Sequence, residues 1–395
     1  MEPVVSRSPL PENDDWAGES PRSLMFVISD IGFFLSHRLP LALEAERQGF
    51  RILIAAPEQA GYDKLKHYGF SIYPIDLHRR SRNLVKELRC LLSIFWTMRK
   101  TNPDVVHLIT AKPIFYGGIS ARLLGTPALA ALTGMGYAFT HQTPKARVLR
   151  FAISMLYRAA LNQPQVHALF QNCDDLAIAT ESGFIRRATT SLIGGSGTDL
   201  TKITPKPQPA GPPIVLMPCR MLRDKGVVEF VEAARLIRAR GIEAEFRLLG
   251  DPDLNNPTSL NEAMLKDWVA EGVVNWRPHT SDMDTALATC NIVALPSYRE
   301  GFPKTLIDSA AAGRAAVATN VPGCRDAIIE GVTGLLCEVR SAESLANALA
   351  PLLVDPVRVR KMGLAARTHA EAHFDIRQVE RAHIQIYEDL VKRRA

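Results

Sequence analysis

The chain has 395 residues, 47% hydrophobic, 22% charged and 7% aromatic, with a formal net charge of +6 and a mean hydropathy of −0.01. At about 150 residues per domain this length predicts two to three domains. The composition excludes a disordered chain, a fibrous repeat and a polytopic membrane protein. A spanning helix needs about 20 consecutive apolar residues, and the best run, 91–96, is bounded by Arg89 and Arg99.

Residues 1–22 carry Pro3, Pro9, Pro11 and Pro21 among acids and lack the cationic start and apolar stretch of a signal peptide. They read as a disordered tail on a cytoplasmic protein. Apolar runs at 24–28 and 51–56 read as strands, and between them Leu35, Leu39, Ala42 and Leu43 recur at helical steps up to Gly49. The alternation continues with a strand at 70–74, a helix at 82–100, a strand at 104–109, a helix after Pro113, a strand at 128–132 and a basic helix at 145–161. Two further short units bring this half to about residue 200. Strands and helices alternating through short turns predict a parallel sheet covered on both faces.

Prolines at 205, 207, 209, 212 and 213 mark 201–213 as a linker. Beyond it, strands at 214–218, 245–249, 273–276 and 292–296 alternate with helices at 227–240, 260–271 and 283–289. The second half, 214–372, therefore repeats the α/β architecture of the first, 23–200, and a final helix at 373–395 is placed to pack back on the first domain. Ligands of open parallel sheets bind at the carboxyl ends of strands, so two such domains are expected to face one another across a cleft.

The charge is uneven. From Arg79 to Arg158 thirteen Lys and Arg meet two acids, Glu87 and Asp104, whereas from Thr201 onward 25 bases meet 24 acids. Such asymmetry calls for an anionic partner of the first half, or else marks a solvated basic face. Nucleic acid is disfavoured, because no aromatic stacking platform or reading helix accompanies the bases. Lys145, Arg147, Arg150 and Arg158 interleave with Val148, Leu149, Phe151, Ile153, Met155, Leu156 and Tyr157. That segment reads either as an interfacial helix on an anionic membrane or as an amphipathic helix packed on its own sheet. Cys90, Cys173, Cys219, Cys290, Cys324 and Cys337 lie at irregular intervals that offer no metal or disulfide framework and read as small buried hydrophobes.

Two strings carry chemistry. The first runs Pro296-Ser297-Tyr298-Arg299-Glu300-Gly301-Phe302-Pro303-Lys304-Thr305-Leu306-Ile307-Asp308. Pro303 suits the first turn of a helix, which leaves the N–H groups of Lys304, Thr305 and Leu306 free to bind phosphate. Glu300 and Asp308 flank that site, read either as acceptors for the hydroxyls of a sugar and a ribose or as an acidic loop residue and a partly buried Asp paired with an Arg. The second string, Cys219-Arg220-Met221-Leu222-Arg223-Asp224-Lys225-Gly226, follows the first strand of the second half. A bidentate Arg220 and a mobile Lys225 match a diphosphate. No His/carboxylate cluster suggests a metal, and no cofactor is implied.

Arg220…Lys225-Gly226, then Pro296-Ser297 and Glu300-Gly301-Phe302, with a carboxylate eight residues past Glu300, resemble the retaining glycosyltransferases of family 4. Val321-Pro322-Gly323-Cys324-Arg325-Asp326 and Gly331-Val332-Thr333-Gly334-Leu335-Leu336 continue the likeness. The resemblance implies the GT-B fold of two facing Rossmann-like domains. It implies metal-independent transfer of a hexose or N-acetylhexosamine from a nucleoside diphosphate sugar, a UDP-sugar first. Arg220, Lys225 and Glu300 then act catalytically, and Gly32, Gly301, Phe302, Pro303, Lys304, Thr305, Leu306 and Asp308 join them in holding the donor. The family usually has Glu where Asp308 stands, and often a His in the turn that here reads Thr133-Gly134-Met135-Gly136-Tyr137.

Phe33 to Pro40, Ala111-Lys112-Pro113 with Tyr116-Gly117-Gly118, and the Thr133 to Tyr137 turn resemble a subgroup acting on polyprenyl-diphosphate-linked sugars in surface polysaccharide or glycoprotein assembly. In that reading His37, Lys112, Gly134, Gly136 and Tyr137 face a lipid-diphosphate glycan acceptor, with the protein peripheral at the inner face of the plasma membrane. His37, opening a helix, also reads as a capping or packing residue, and Lys112 as a solvated group. A sugar-nucleotide epimerase, a transferase to soluble acceptors and an inactive sugar-nucleotide sensor stay open on the same fold.

Overall fold

The computed structural model describes residues 22–59, 61–78, 81, 83–134, 144–253 and 256–394, the side chains of 144–149 excepted. The tail expected at 1–22 lies outside the described residues except for Arg22, and so do Gly136 and Tyr137.

The first half runs β1 (Ser23–Val27), α1 (Ile31–His37), α2 (Leu39–Arg47), β2 (Arg51–Ala56), α3 (Tyr62–His67), β3 (Ser71–Pro74), α4 (Leu84–Thr101), β4 (Val105–Ile109), α5 (Ala111–Leu124), β5 (Ala128–Leu132), α6 (Pro144–Leu161), β6 (Val166–Phe170), α7 (Cys173–Glu181) and β7 (Thr189–Leu192). Its seven strands are all parallel, in the order β3-β2-β1-β4-β5-β6-β7. The second half runs β8 (Ile214–Pro218), α8 (Val227–Ala239), β9 (Glu245–Leu249), α9 (Glu262–Ala270), β10 (Asn275–Arg277), α10 (Met283–Ala288), β11 (Ile292–Leu295), α11 (Lys304–Ala311), β12 (Ala315–Thr319), α12 (Cys324–Ala327) and β13 (Gly334–Cys337). These six strands are parallel in the order β10-β9-β8-β11-β12-β13. Helices α13 (Ala342–Leu353), α14 (Pro356–His373) and α15 (Ile376–Lys392) close the chain. The architecture is α/β, two doubly wound Rossmann-like sheets.

β1, β4, β5, β8, β11 and β12 are buried along their whole length. Covered on both faces, they read in sequence as unbroken apolar runs rather than alternating ones. Each sheet changes its direction of growth once, between β1 and β4 and between β8 and β11. Those are the switch points where such sheets hold ligands. The helix expected up to Gly49 is two helices, because Arg38 leaves helical geometry at φ −128° and ψ −14° and Pro40 restarts the chain as α2. His37 consequently ends α1 rather than opening a helix.

α15 belongs to the C-terminal part of the sequence but packs on α2, β4 and β5. Ile384, Ile386, Tyr387 and Leu390 share one buried cluster with Leu24, Phe26, Phe50 and Ile52. Inside it the Tyr387 hydroxyl and His107 Nδ1 share a 2.7 Å hydrogen bond. The two crossings between domains also pair with one another: Thr198 N–H donates to the Phe374 carbonyl at 2.8 Å, and Ile376 N–H to the Thr198 carbonyl at 3.0 Å. α6 buries Tyr157, Ala160 and Leu161 toward the sheet. Among the cysteines, Cys90, Cys290, Cys324 and Cys337 are buried and Cys219 partly so, whereas Cys173 is exposed at the start of α7, against the buried reading. Among the described residues no helix is long and apolar enough to cross a membrane.

Candidate active site

The turn after β8 closes as a single 3-10 turn, Arg223–Lys225, ended by Gly226 at φ 79°. A Cβ on Gly226 would stand 2.1 Å from the Pro296 carbonyl oxygen, so glycine is what lets this turn lie against the end of β11. Lys225 is thereby brought beside Glu300, and its Nζ donates to Oε1 at 2.5 Å with both side chains largely buried. Burial works to lower the Lys225 pKa, but the charge and hydrogen bond of Glu300 outweigh it and raise it. Lys225 therefore stays cationic. Arg220, at 55% side-chain exposure, reaches outward and donates to Asp253 Oδ2 at 2.9 Å.

α11 begins after Pro303 with no side-chain cap on its first N–H groups. Lys304 and Thr305 head the helix, but Leu306 N–H donates to the Pro303 carbonyl at 3.0 Å and is not available as expected. A tightened first turn consumes one of the groups a helix start leaves over. Thr305 Oγ1 donates to the Pro218 carbonyl at 3.1 Å, tying α11 to the end of β8. Lys304 Nζ donates to Asp308 Oδ1 at 2.9 Å, one helical turn on, and that carboxylate is 7% exposed. Glu300 and Asp308 are thus each held by a lysine, so a ligand's hydroxyls would compete with Lys225 and Lys304 for them. Phe302 packs edge-on against Phe374 at 5.6 Å between ring centroids.

The loop carrying Glu300 touches the first domain. A Cβ on Gly301 would lie 2.0 Å from the Thr133 carbonyl oxygen at the end of β5, and Gly134 sits beside it at φ 136°. Gly323, at φ 78°, backs the loop from the other side, its ideal Cβ 2.2 Å from the Gly301 carbonyl oxygen. Both sheets therefore turn their strand carboxyl ends toward one cleft. Residues not singled out in the sequence hold the loop there. Asn172, which caps α7, donates through Nδ2 to the Gly301 carbonyl at 2.9 Å. Asp174 accepts from Arg325 Nη2 at 2.8 Å, and Asp175 from Arg299 Nη2 at 3.4 Å. Asn172-Cys173-Asp174-Asp175 reads as a helix cap with an acidic first turn, a local signal that says nothing of a second domain.

On the first-domain side of the cleft, His37 stacks on Phe33 at 4.3 Å and shares a 2.7 Å hydrogen bond between Nδ1 and Ser36 Oγ. Its pKa is pushed down to about 4, first by burial and then by the positive charges of Lys304 and Arg38, with Lys225 adding to them. This imidazole thus feels two cations of the opposite domain. Lys112 is bound rather than free: Nζ donates to the His78 carbonyl at 2.7 Å, the Ser81 carbonyl at 3.0 Å and Glu87 Oε1 at 2.7 Å. Gly32 is exposed in the first turn of α1. A cavity of about 1070 Å³ opens beside these strand ends, lined among others by Ser29, Asp30, His78, Asn83 and Lys86 from the first domain and Asp253 from the second. Asp253 is also the partner of Arg220, so cavity and cationic turn adjoin. Among the described residues no three His, Cys, Asp or Glu gather to hold a metal.

Comparison with known proteins gives this arrangement a class. Residues 212–355 match the model of "Glycosyl transferases group 1" and residues 26–167 that of "Glycosyl transferase 4-like". A Campylobacter jejuni N,N'-diacetylbacillosaminyl-diphospho-undecaprenol alpha-1,3-N-acetylgalactosaminyltransferase is 26% identical over 91% of this chain and 98% of its own. An Escherichia coli UDP-Gal:alpha-D-GlcNAc-diphosphoundecaprenol alpha-1,3-galactosyltransferase is 25% identical over 70% of this chain and 73% of its own. Among solved structures, Thermosynechococcus elongatus sucrose-phosphate synthase superposes with a TM-score of 0.77 at 17% identity, covering 93% of this chain and 99% of that one. Anabaena HepE in complex with UDP-glucose gives 0.73 at 16% identity, covering 94% and 99%. The fold is GT-B, and the protein is a glycosyltransferase. Within that class each half of the chain matches one family model, the 4-like transferases in the first and the group 1 transferases in the second.

Proposed function

We propose that the protein transfers a hexose or N-acetylhexosamine from a nucleoside diphosphate sugar, a UDP-sugar first, to a polyprenyl-diphosphate-linked glycan with retention at the anomeric carbon. The observation that carries this is the cluster at the β8 and β11 ends, where Lys225, Lys304 and the open start of α11 surround Glu300 and Asp308. The full-length likeness to a transferase named for an undecaprenol diphosphate substrate supports the acceptor class.

In this reading the first domain binds the acceptor and the second the donor. As the bond from the anomeric carbon to the diphosphate breaks, the leaving group takes the electron pair. Fixed cations lower the barrier by meeting that developing charge. Lys225, Arg220 and the N–H groups of Lys304 and Thr305 supply them without a metal. Glu300 orients the sugar hydroxyls and Asp308 the ribose. The acceptor hydroxyl forms the new bond, and its proton leaves to the departing diphosphate. Gly32, Gly301, Phe302 and Pro303 shape the donor side by backbone and packing; His37, Gly134 and Lys112 shape the acceptor side, Lys112 by bracing the cavity wall through the His78 and Ser81 carbonyls. An acceptor anchored in lipid makes an anionic membrane surface the working partner.

The test is to incubate purified protein with UDP- and GDP-sugars, with and without a polyprenyl-diphosphate sugar. Acceptor-dependent release of one nucleoside diphosphate, persisting in EDTA, is expected. Conversion of the sugar nucleotide without acceptor would establish an epimerase instead, and absence of turnover with binding intact a sensor.

A further inference from the structure

α4 buries Cys90, Ile94 and Met98 against the domain and leaves Leu84, Val85, Leu88, Leu92 and Trp96 exposed, at 84%, 61%, 56%, 45% and 59% of their full surface. Steps of three and four align these five along one stripe of the helix. Single exposed apolar side chains are ordinary, but a continuous row is not. Leu123, Phe151 and Met155 are exposed on α5 and α6, the next two helices of the same layer.

The exposed charge of α4 itself has one sign. Lys86, Arg89, Arg99 and Lys100 are exposed, and none has an ion-pair partner among the described residues. The one acid of α4, Glu87, is turned inward, accepting from Lys112 Nζ at 2.7 Å and from the Tyr116 hydroxyl at 2.5 Å. An apolar stripe flanked by unpaired cations, with no carboxylate beside it on the helix, fits the head-group region of an anionic bilayer, where each nearby base adds attraction.

The stripe also has a direction. α4 leads into β4, so its first turn lies at the carboxyl edge of the sheet. There Asn83 and Lys86 line the cavity of about 1070 Å³ that reaches Asp253. Leu84, the most exposed residue of the row, follows the α4 cap Asn83. We infer that α4 is the face by which the enzyme lies on an anionic bilayer, and that its N-terminal end presents the mouth of this cavity to the membrane surface. A diphosphate-linked acceptor would then enter over Leu84, at the cavity mouth, without leaving the lipid phase with its chain. The entry route rests on the acceptor class proposed above; the docking face does not.

Full-length protein is sedimented with phosphatidylcholine vesicles with and without phosphatidylglycerol, and Trp96 fluorescence is followed in parallel. Preference for anionic vesicles is expected, with a blue shift that Trp96→Phe abolishes. Leu88→Glu/Leu92→Glu should weaken binding about tenfold or more. The same variant should keep its activity on a short-chain, water-soluble prenyl-diphosphate acceptor and lose it on a long-chain acceptor held in vesicles. Equal pelleting with neutral vesicles, unchanged binding by the double variant, or a concentration-dependent dimer that the substitutions dissolve would each overturn the docking face. Anionic binding with no transfer to any lipid-diphosphate acceptor would overturn the entry route and the acceptor class while the docking face stands.

Discussion

Asn172 Nδ2 donates to the Gly301 carbonyl at 2.9 Å, joining the cap of α7 in one domain to the loop that carries Glu300 in the other. The Asn172 carboxamide oxygen accepts from Asp175 N–H at 2.8 Å, so one buried side chain starts a helix and holds the opposite domain. Asn172→Asp keeps the helix cap and loses the donor, whereas Asn172→Ala loses both. The Ala variant should be less stable by about 1 kcal/mol. Both should lower kcat/KM for the donor about tenfold, which is about 1.4 kcal/mol of transition-state stabilisation. Denaturation curves and steady-state kinetics on the two variants separate the roles; an Asp variant as active as wild type would leave the cross-domain bond without consequence.

Lys225 and Glu300 form a largely buried pair. Removing one partner leaves the other charge uncompensated, which costs more than loss of an exposed bridge. Lys225→Met should therefore reduce stability as well as kcat, the latter by about a hundredfold or more. Glu300→Gln should spare the fold better, since the amide still accepts from Lys225, while reducing turnover. A double-mutant cycle on kcat/KM with coupling near zero would show that the pair does not act as a unit.

Gly301→Ala places a methyl group 2.0 Å from the Thr133 carbonyl oxygen. Backbone stands on both sides of that overlap, so the domains must separate locally. Activity should fall by more than tenfold with little loss of far-UV signal, and small-angle scattering should report a larger radius of gyration. Gly211→Ala, where a Cβ meets nothing within 4 Å and only the positive φ of 92° opposes it, shows what loss of a glycine costs without a clash.

Acid should weaken the fold. Burial lowers the pKa of His37 and His167 to about 4 and of His383 to about 3, helped by Lys304 and Arg38, by Arg393, and by Arg38 respectively. His107 is lowered well below its ordinary value, by burial first and then by Arg38. The unfolded chain takes up these protons near pH 6.5. Between pH 6.5 and about 4 it binds more protons than the folded one, so stability is present above 6.5 and declines as pH falls. Glu380 opposes this: burial and then Glu44 raise it to about 7, so its share of stability grows as pH drops below 7. Urea midpoints from pH 7.5 to 4.5 should fall, more steeply in Glu380→Gln and less steeply in His37→Gln. A midpoint rising toward acid would contradict the histidine assignment.

The alternation of strands and helices was legible because six strands are covered on both faces and must be apolar throughout. The break at Arg38 was not, since Leu35, Leu39 and Leu43 keep helical spacing across it; Pro40 was its only local mark. α3 is six residues long, too short to carry a periodic signal. Around the site, the strings at 219–226 and 296–308 announced charge and a helix start, but which charge meets which is a tertiary fact. Lys225 and Glu300 lie 75 residues apart in sequence. Lys112 read as an available cation because Glu87, 25 residues upstream, carries no mark of being its partner. Asn172 announced only its own helix.

The place of α15 bears on the order in which the molecule can be made. Synthesis proceeds from the N-terminus, and domains generally fold as they emerge. Here the first sheet, complete at Leu192, lacks Ile384, Ile386, Tyr387 and Leu390 from its buried cluster until the last helix leaves the ribosome. For most of its translation the nascent chain carries an unfilled apolar face beside Phe26, Phe50 and His107. The second domain can finish first, and the final turns of α15 then seal the domain that was begun earliest.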